Sequence, residues 1–568
     1  MKVISKLCLL SLVFLSCQFL IGQNDTIKSD RMIIVKQYSP TVNDAFKIKQ
    51  NPSLKDTISQ QRKSLEYEFV DVPVASTFTP AKGQASGVKR TQRPRYFNNY
   101  AKVGFGNYTT ILAEFFGQLN IDRGKNLDIS LSHLSSQGGI EDVVLDDHFS
   151  DSELGLNFTS EQRNFIWNSG IEISHRQYNY YGLPNVDDFS DTQISEIDPQ
   201  QTYLGLKLLG GINFYNGILD KVDLSFQNFS DDFSSAEQRL DIQPQFELPL
   251  AQQLLKANLK LDFLNGKFEN RFDDTENSIN YQYLQMSLNP FMSFKIEDLN
   301  LKIGTELVYN SDLENSESDF FIYPDLRADL KLNDGAQNVF VGVDGGLEQN
   351  TYANFSEINP FVSPTLFVAP SNNMFDAFAG FNTKLLDNLF FSTQINYAST
   401  ENYALFKNNP RVFTAQEIEA YENGNSFGVV YDDIDVISFS GEINYEIEDL
   451  DLGLFAKYSN YSTDFEAEAW NLPNIELKAF GHYNFTEKWR FGGSLFFVGE
   501  RNAFLSPEDV KTLKSFVDLN LSAEYAINKR LSAFVNGNNL LGNSYERWQN
   551  FDVQGIQVLG GLIYQFDW

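Results

Sequence analysis

From Tyr96 to the C-terminus, apolar and polar residues alternate with a period of two. In the run 299–307, Asn300, Lys302, Gly304 and Glu306 separate larger, mostly apolar residues. The same pattern returns at 111–121, 127–132, 452–458 and 517–525. Side chains of a strand point alternately to opposite faces, so one apolar and one polar row indicate half-buried strands. Because helical spacing is not sustained in this region, the sequence predicts an all-β fold, with residues such as Leu301 on one face and Lys302 on the other.

The connections between these strands alternate in length. Short polar turns fall near residues 123, 162, 217, 251, 297, 335, 387, 449, 487 and 528. Longer loops lie between them, as at 137–148, 182–200, 266–278, 348–373 and 400–425. Two loop lengths in alternation are typical of outer-membrane barrels, with short turns periplasmic and long loops extracellular. Residues 96–568 are therefore predicted to form a transmembrane antiparallel β-barrel of about 22 strands in the outer membrane.

The composition agrees with such a barrel. Aromatic residues make up 14% of the chain, and the mean hydropathy of −0.31 is low because every second barrel residue faces a wet lumen. No stretch after the N-terminus is apolar for the roughly 20 residues that a membrane helix needs. The net charge of −31 repels phosphates, which excludes nucleic acid as a partner.

Residues 1–23 have the pattern of a signal peptide. Lys2 and Lys6 precede an apolar stretch at 7–21, and a small residue follows it. Both cysteines, Cys8 and Cys17, lie in this stretch, so a processed chain has no disulfide. Lipidation at Cys17 is the alternative, but it is disfavoured by the large Leu15 at a position where a small residue is expected.

Residues 24–95 have a different character, rich in Lys, Gln, Ser, Thr and Pro. Two short strand-like runs, 32–38 and 65–72, are each closed by proline, which stops a β-ladder. An isolated strand cannot satisfy its backbone groups alone, so the first run is a candidate for docking on a partner's sheet edge. Its candidate docking residues are Ile33, Ile34, Val35, Lys36 and Tyr38. There are two alternatives for the 24–95 segment. It is a periplasmic linker, or it folds back into the mouth of the lumen.

The last strand carries aromatic residues to the C-terminus. Its outward row is predicted to be Val558, Gly560, Leu562, Tyr564, Phe566 and Trp568. Aromatic rings are favoured at membrane interfaces, so Tyr564, Phe566 and Trp568 are predicted to face lipid and to act as a membrane-insertion signal.

The stretch NGNNLLGNSYERWQNFDVQGIQVLGGLIYQFDW resembles the C-terminal end of TonB-dependent receptors. The resemblance implies a barrel whose lumen holds a plug, and energised import of a solute. The 24–95 segment is smaller than such a plug and lacks its Gly-rich patterns. An unplugged lumen of this size would leak, so the 24–95 segment, inward-folded loops or another protein is expected to occupy it.

No catalytic, cofactor or metal constellation is recognisable. The four histidines at 133, 148, 175 and 482 are scattered, and nucleophile and nucleotide fingerprints are missing. Acidic pairs such as Asp187-Asp188 and Asp432-Asp433 could at most bind Ca²⁺ weakly. The chain is thus predicted not to be an enzyme.

Two functions remain open at this point. One is a plug-less transporter or receptor for an unknown solute. The other is a non-transporting subunit of an outer-membrane assembly, whose partner is a lipoprotein or another barrel. A soluble exported β-protein such as a large propeller is disfavoured by the two loop lengths and the aromatic C-terminus.

Overall fold

The computed structural model describes residues 97–250, 253–272, 277–413 and 418–568. The predicted signal peptide and the 24–95 segment, with its candidate docking residues, lie outside the described residues. Within the described ranges, none of the helices is long and apolar enough to cross a membrane.

Twenty-two strands form one antiparallel sheet that closes on itself. The barrel strands are β1 (Asn99–Gly106), β2 (Ile111–Asp122), β3 (Lys125–Ser136), β4 (Phe149–Glu161), β5 (Phe165–Asn179), β6 (Gln200–Phe214), β7 (Leu219–Asp231), β8 (Ala236–Leu250), β9 (Gln253–Phe268), β10 (Ile279–Ile296), β11 (Leu299–Asp312), β12 (Glu317–Leu332), β13 (Gln337–Glu348), β14 (Ser371–Leu386), β15 (Leu389–Asn408), β16 (Phe427–Ile447), β17 (Leu450–Thr463), β18 (Ile475–Asn484), β19 (Trp489–Val498), β22 (Phe516–Ala526), β23 (Leu531–Asn538) and β26 (Gln557–Phe566). Each strand pairs with its neighbour along the chain, and β26 pairs with β1 to close the ring. The predicted barrel and its strand number are confirmed.

Short strands and helices lie within the connections, nearly all of them at the long-loop end of the barrel. Two hairpins lie within loops, β20 (Arg501–Ser506) with β21 (Asp509–Leu513), and β24 (Glu546–Trp548) with β25 (Phe551–Asp552). The helices are α1 (Asp191–Glu196) and α2 (Tyr352–Ile358), with 3-10 turns at Val186–Asp188, Asn333–Gly335 and Ala420–Glu422. All of these except Asn333–Gly335 lie in the longer loops.

The connections follow the predicted alternation in part, because three connections at the long-loop end, 107–110, 232–235 and 313–316, are only four residues long. The described short turns are 123–124, 162–164, 215–218, 297–298, 333–336, 387–388, 448–449, 485–488 and 527–530. Beside the predicted turn near 251, β8 pairs with β9 up to Leu250 and Gln253. The longest connections at the opposite end are 180–199, 349–370, 409–426, 499–515 and 539–556. Asn99, at the start of β1, lies opposite Phe566, at the end of β26, so both ends of the barrel meet at the short-turn end.

The two faces of the strands follow the predicted register. On β11, Ile303 is 53% exposed on the outer face, whereas Val308 is 1% exposed on the inner face. Lys302 points inward and donates a hydrogen bond to Asp325 Oδ1 at 2.7 Å, while its neighbour Leu301 lies in the outward row. A one-residue slip would exchange these faces, so their agreement fixes the register.

The seam between β1 and β26 brings two backbones into close approach. Gly104 lies opposite Gly561, and Phe105 opposite Gly560. A Cβ on Gly561 would overlap the carbonyl oxygen of Val103 and lie 2.7 Å from Gly104 Cα. The inner face of the seam therefore requires glycine at 561, which leaves room for the Phe534 ring against it.

Candidate functional site

Four long loops fold inward and pack together at the long-loop end of the barrel. Their described residues are 180–199, 349–370, 409–413 with 418–426, and 539–556, and together these residues are called the cap. The cap packs on inward-facing wall residues, namely Tyr203 on β6, Phe229 on β7, Phe268 on β9 and Tyr281 on β10, all of them buried. The outward neighbour Leu204, by contrast, is 49% exposed. The cap thus has a core inside the barrel wall.

The core of the cap is aromatic. Tyr352 of α2 meets Tyr203, Phe229 and Phe268 with ring centroids 6.0, 5.3 and 4.9 Å apart, each close to edge-on. Such edge-to-face geometry is the favoured arrangement of aromatic pairs. This packing joins segment 349–370 to the wall.

A second aromatic group joins the loops to one another. Phe361 stacks on Phe551 with centroids 3.7 Å apart, and the ring of Tyr181 lies edge-on to both. Trp548 contacts Phe427 at the start of β16, with centroids 5.4 Å apart. Loops from distant parts of the chain therefore share one core.

One buried wall carboxylate holds the start of α2. Glu237 on β8 is 3% exposed, and its carboxylate accepts the backbone N–H groups of Tyr352 and Ala353 at 2.7 and 3.2 Å. The Tyr281 hydroxyl donates to the same carboxylate at 2.8 Å. The first amides of a helix have no partner within the helix and carry partial positive charge, so a carboxylate there is favourable. The Thr351 side chain accepts the next amide, that of Asn354, at 3.0 Å.

A second carboxylate holds the same helix through a side chain. The Tyr352 hydroxyl donates to Asp231 Oδ2 at 2.6 Å. Burial raises the pKa of the Tyr352 phenol well above its usual value, and the charge of Asp231 acts in the same direction. The phenol therefore stays protonated and acts as a donor.

The far end of segment 349–370 is fixed by two more phenols. Tyr203 donates to the carbonyl of Pro360 at 2.9 Å, and Tyr180 donates to the carbonyl of Val362 at 2.7 Å. Ser363 N–H also donates to the carbonyl of Phe427 at 2.8 Å. The segment leaves the barrel at β13 and returns at β14, yet it is anchored on β6 to β10, so it crosses the mouth.

Ion pairs line the inner wall. Arg239 donates two hydrogen bonds to Asp262, at 2.9 and 2.6 Å, and Lys260 pairs with the same carboxylate at 2.9 Å. Lys302 and Asp325 form a further pair at 2.6 Å. These charges are largely neutralised in place, as expected of a polar lumen.

Solved structures with the same architecture are known. The FrpB iron transporter from Neisseria meningitidis superimposes with a TM-score of 0.62 at 12% identity, over 83% of this chain and 82% of that one. The ferric-catecholate import receptor Fiu from E. coli gives 0.61 at 9% identity, over 83% and 82%. FpvA of P. aeruginosa bound to heterologous pyoverdines gives 0.61 at 14%, over 84% and 72%. No protein-family model and no curated protein sequence matches the chain.

The chain has the barrel fold of the TonB-dependent receptors. At these identities the likeness shows the fold alone. The resemblance that the C-terminal sequence indicated is confirmed, and with it an outer-membrane barrel in contact with a lipid bilayer. The long-loop mouth of the barrel is crossed by loops of the same chain.

The predicted C-terminal residues lie together on the outer face of the barrel. Phe566 contacts Tyr564, Trp568 and Phe115, with centroids 5.7, 5.1 and 6.4 Å apart. Tyr564 and Trp568 are exposed there, as residues facing lipid would be. Their role as an insertion signal stays a prediction.

In the acidic pair Asp432-Asp433, the Asp432 carboxylate is occupied by hydrogen bonds to the backbone. The carboxylate of Asp432 accepts the backbone N–H groups of Phe465 and Glu466 at 2.9 and 2.7 Å, so it anchors the 464–474 loop. Among the described residues, no group of three or more His, Cys, Asp or Glu side chains could hold a metal ion.

Sequence reasoning missed the anchoring residues of the cap. Glu237 occupies one place in an inward polar row with Arg239 and Asp241, where any lumen residue would be polar. The aromatic richness of the loops was visible, as in Tyr180, Tyr181 and Trp548. It favoured loop packing and rings at the membrane interface over contact with a sugar or a partner, and it did not indicate which residues meet. Nothing in the sequence pairs Glu237 with residues 115 positions later.

Proposed function

We propose that this protein is a receptor-type outer-membrane barrel whose cap closes it to free diffusion, and that it serves as a subunit of an outer-membrane assembly. The observation that carries this proposal is the cap. In the proposed orientation, the short turns and residues 24–95 are periplasmic and the long loops are extracellular. No enzymatic role is assigned to it.

The free energy of the cap supports a permanent closure. Large cap side chains in the shared core are Tyr180, Tyr352, Phe355, Phe361, Val362, Tyr421, Trp548 and Phe551. Burying one such side chain contributes about 1.5–3 kcal/mol, so eight contribute roughly 12–24 kcal/mol. A solute that binds with a micromolar Kd supplies only about 8 kcal/mol, so binding of such a solute would not by itself expose this core.

The partner is proposed to dock on the segment before the barrel. Ile33 and Val35 form one apolar side of the 32–38 run, and Ile34 and Tyr38 lie on the other. An extended segment of this kind gains its affinity by adding a strand to a partner's sheet edge. The proposed partner is a lipoprotein or a second barrel of the envelope, because either of them could reach a docking segment in this position.

A second candidate is a solute transporter. The fold likeness favours it, because the printed descriptions of the similar structures include an iron transporter and an import receptor. Transport through this barrel would require the cap to open.

The test compares purified complexes. The full chain is isolated from its own cells in mild detergent, beside a double variant, Ile33→Asp with Val35→Asp, and a control, Thr41→Asp, just outside the run. The subunit proposal expects a stoichiometric second component that the double variant loses and the control keeps. A wild-type barrel that purifies alone and passes a solute across vesicles would refute it and favour the transporter.

A further inference from the structure

The outer face of strands β5 to β10 continues beyond the apolar belt that faces lipid. On β6 the belt ends with the exposed Leu206 and Leu204, and on β10 it ends with Met286 and Leu284. Closer to the long loops, the outward residues of these six strands are almost all polar. They are called the neutral band and are the outward residues of 175–177, 200–202, 228–230, 236–238, 265–267 and 280–282.

The direction of the neutral band is set by the residues that alternate with it. Gln201, Glu237 and Tyr281 are buried on the inner face, under the cap. Their neighbours Gln200 and Gln238 are exposed. Because successive side chains of a strand point to opposite faces, the band points away from the lumen.

The side chains of the band are neutral hydrogen-bonding groups with one exception. They are amides, hydroxyls, one imidazole and one methyl group, and the only ammonium group among them, that of Lys267, pairs with Glu269. No carboxylate lies in the band, although the chain has a net charge of −31. On β16, by contrast, Asp433 and Asp435 flank the buried Ile434 and so lie on the outer face beyond the belt. The neutral surface therefore belongs to one side of the barrel.

Hydrogen bonds between neighbouring strands hold amides of the band in place. Gln177 donates to Gln200 Oε1 at 3.0 Å, and Gln238 donates to Asn228 Oδ1 at 3.4 Å. A side-chain amide has two N–H donors and an oxygen with two lone pairs, so each pair keeps further donors and acceptors for a ligand. Side chains that are already fixed lose less conformational entropy when a ligand binds.

We propose that the neutral band binds the sugar headgroup of a glycolipid in the outer leaflet of the membrane. A sugar hydroxyl both donates and accepts hydrogen bonds, as amides and hydroxyls do, whereas a carboxylate only accepts. The band adjoins the belt, so the lipid tails lie against Leu204 and Met286 while the sugar lies against the band. This inference rests on the proposed orientation with extracellular long loops, and it is independent of the partner proposed for residues 24–95.

A protein partner suits the neutral band less well than a sugar does. Trp, Tyr and Arg carry most of the binding energy in protein interfaces, and the band contains none of them. Its aliphatic content is a single alanine, Ala236, so the band offers no apolar core of the kind that protein interfaces have.

The experiment measures the rate at which diethyl pyrocarbonate modifies His175, the histidine of the band, by mass spectrometry of the full-length barrel in vesicles. The vesicles contain phosphatidylcholine alone or with lipopolysaccharide from the producing cells. A third sample has phosphatidylcholine vesicles and the deacylated, water-soluble saccharide of the same lipopolysaccharide. His482 on the inner face of β18 is exposed and is the internal control.

Two double variants test which side chains bind the sugar. The band variant is Gln200→Ala with Gln238→Ala. The matched control is Asn460→Ala with Ser462→Ala, which removes exposed neutral side chains from the outer face of β17, outside the band. Both proteins are first checked for the heat-dependent mobility shift of a folded barrel, and Gln238→Ala alone replaces the band variant if the double change prevents folding.

Lipopolysaccharide should slow the modification of His175 and leave that of His482 unchanged. The band variant should need about tenfold more lipopolysaccharide for the same protection, because it loses two hydrogen-bonding side chains, and the control should behave as the wild type. An unchanged rate at His175 in the wild type, or full protection in the band variant, would overturn the proposal. Equal protection by the deacylated saccharide would overturn the assignment to a glycolipid.

The same measurement separates a sugar from a protein on the neutral band. Protection of His175 by a co-purified protein, and not by lipopolysaccharide, would show a protein interface and overturn the proposal. A barrel that purifies alone would refute the subunit proposal, yet its His175 should still be protected by lipopolysaccharide.

Discussion

The seam of the barrel offers a sharp test of the structure. At Gly561 an added Cβ would overlap the carbonyl oxygen of Val103 and lie 2.7 Å from Gly104 Cα, and both are backbone atoms that cannot rotate away. At the next residue, Gly560, the nearest atom to an added Cβ is the carbonyl oxygen of Phe534, at an ordinary contact distance of 3.7 Å. Gly561→Ala and Gly560→Ala are therefore a pair of variants at adjacent positions, the first on the crowded inner face of β26 and the second on its open outer face.

The magnitude follows from that difference. Overpacking in a well-packed interior costs about 1–3 kcal/mol. If the strands separate to relieve the overlap, one or two ladder hydrogen bonds weaken as well, at about 0.5–1.5 kcal/mol each. Gly561→Ala should thus destabilise the barrel by roughly 2–5 kcal/mol, and Gly560→Ala by less than about 1 kcal/mol.

The assay is urea unfolding of each variant in lipid vesicles, followed by the heat-dependent shift in gel mobility. The midpoint for Gly561→Ala should fall well below that of the wild type, while Gly560→Ala stays close to it. Equal midpoints for the two variants would refute the described register of β1 on β26.

Two further predictions concern the outer face and the C-terminus. Leu301→Arg places a charge on the lipid side, which at the depth of the bilayer midplane should cost about 2–4 kcal/mol. Lys302→Gln should cost at most about 1 kcal/mol because its ion pair is partly solvated. Unfolding in vesicles measures both costs, and equal costs would contradict the assignment of Leu301 to the lipid face and Lys302 to the lumen. Replacing Phe566 and Trp568 together by Ala should lower the amount of the protein inserted into the outer membrane several-fold, as measured by membrane fractionation. Normal insertion of this variant would show that the two rings serve only in packing.

Much of the barrel could be predicted from the sequence because its signals are local. Alternation along a strand sets which side chains face lipid, and a short polar turn sets where the next strand begins. Each of these signals spans a few residues, as in the pair Leu301 and Lys302. The register and the strand number then follow from the order of the turns.

The cap could not be predicted because its contacts are distant in sequence and its segments have no period. Phe361 and Phe551 stack although they lie far apart in the chain, and Glu237 bonds to Tyr352 across 115 positions. A polar residue inside a barrel strand is also what a wet lumen requires. The sequence therefore left three possible occupants of the lumen, and the structure shows the loops at the long-loop end.

We propose that the cap, rather than a separate domain, closes the long-loop mouth of the barrel. The most direct measurement is planar-bilayer conductance of the wild type beside a variant in which residues 349–370 are replaced by a short Gly-Ser linker between β13 and β14. Both proteins are first checked for the heat-dependent mobility shift of a folded barrel. The wild type should show no conductance steps, and the variant should show large, stable steps. Steps of equal size from both proteins would contradict it.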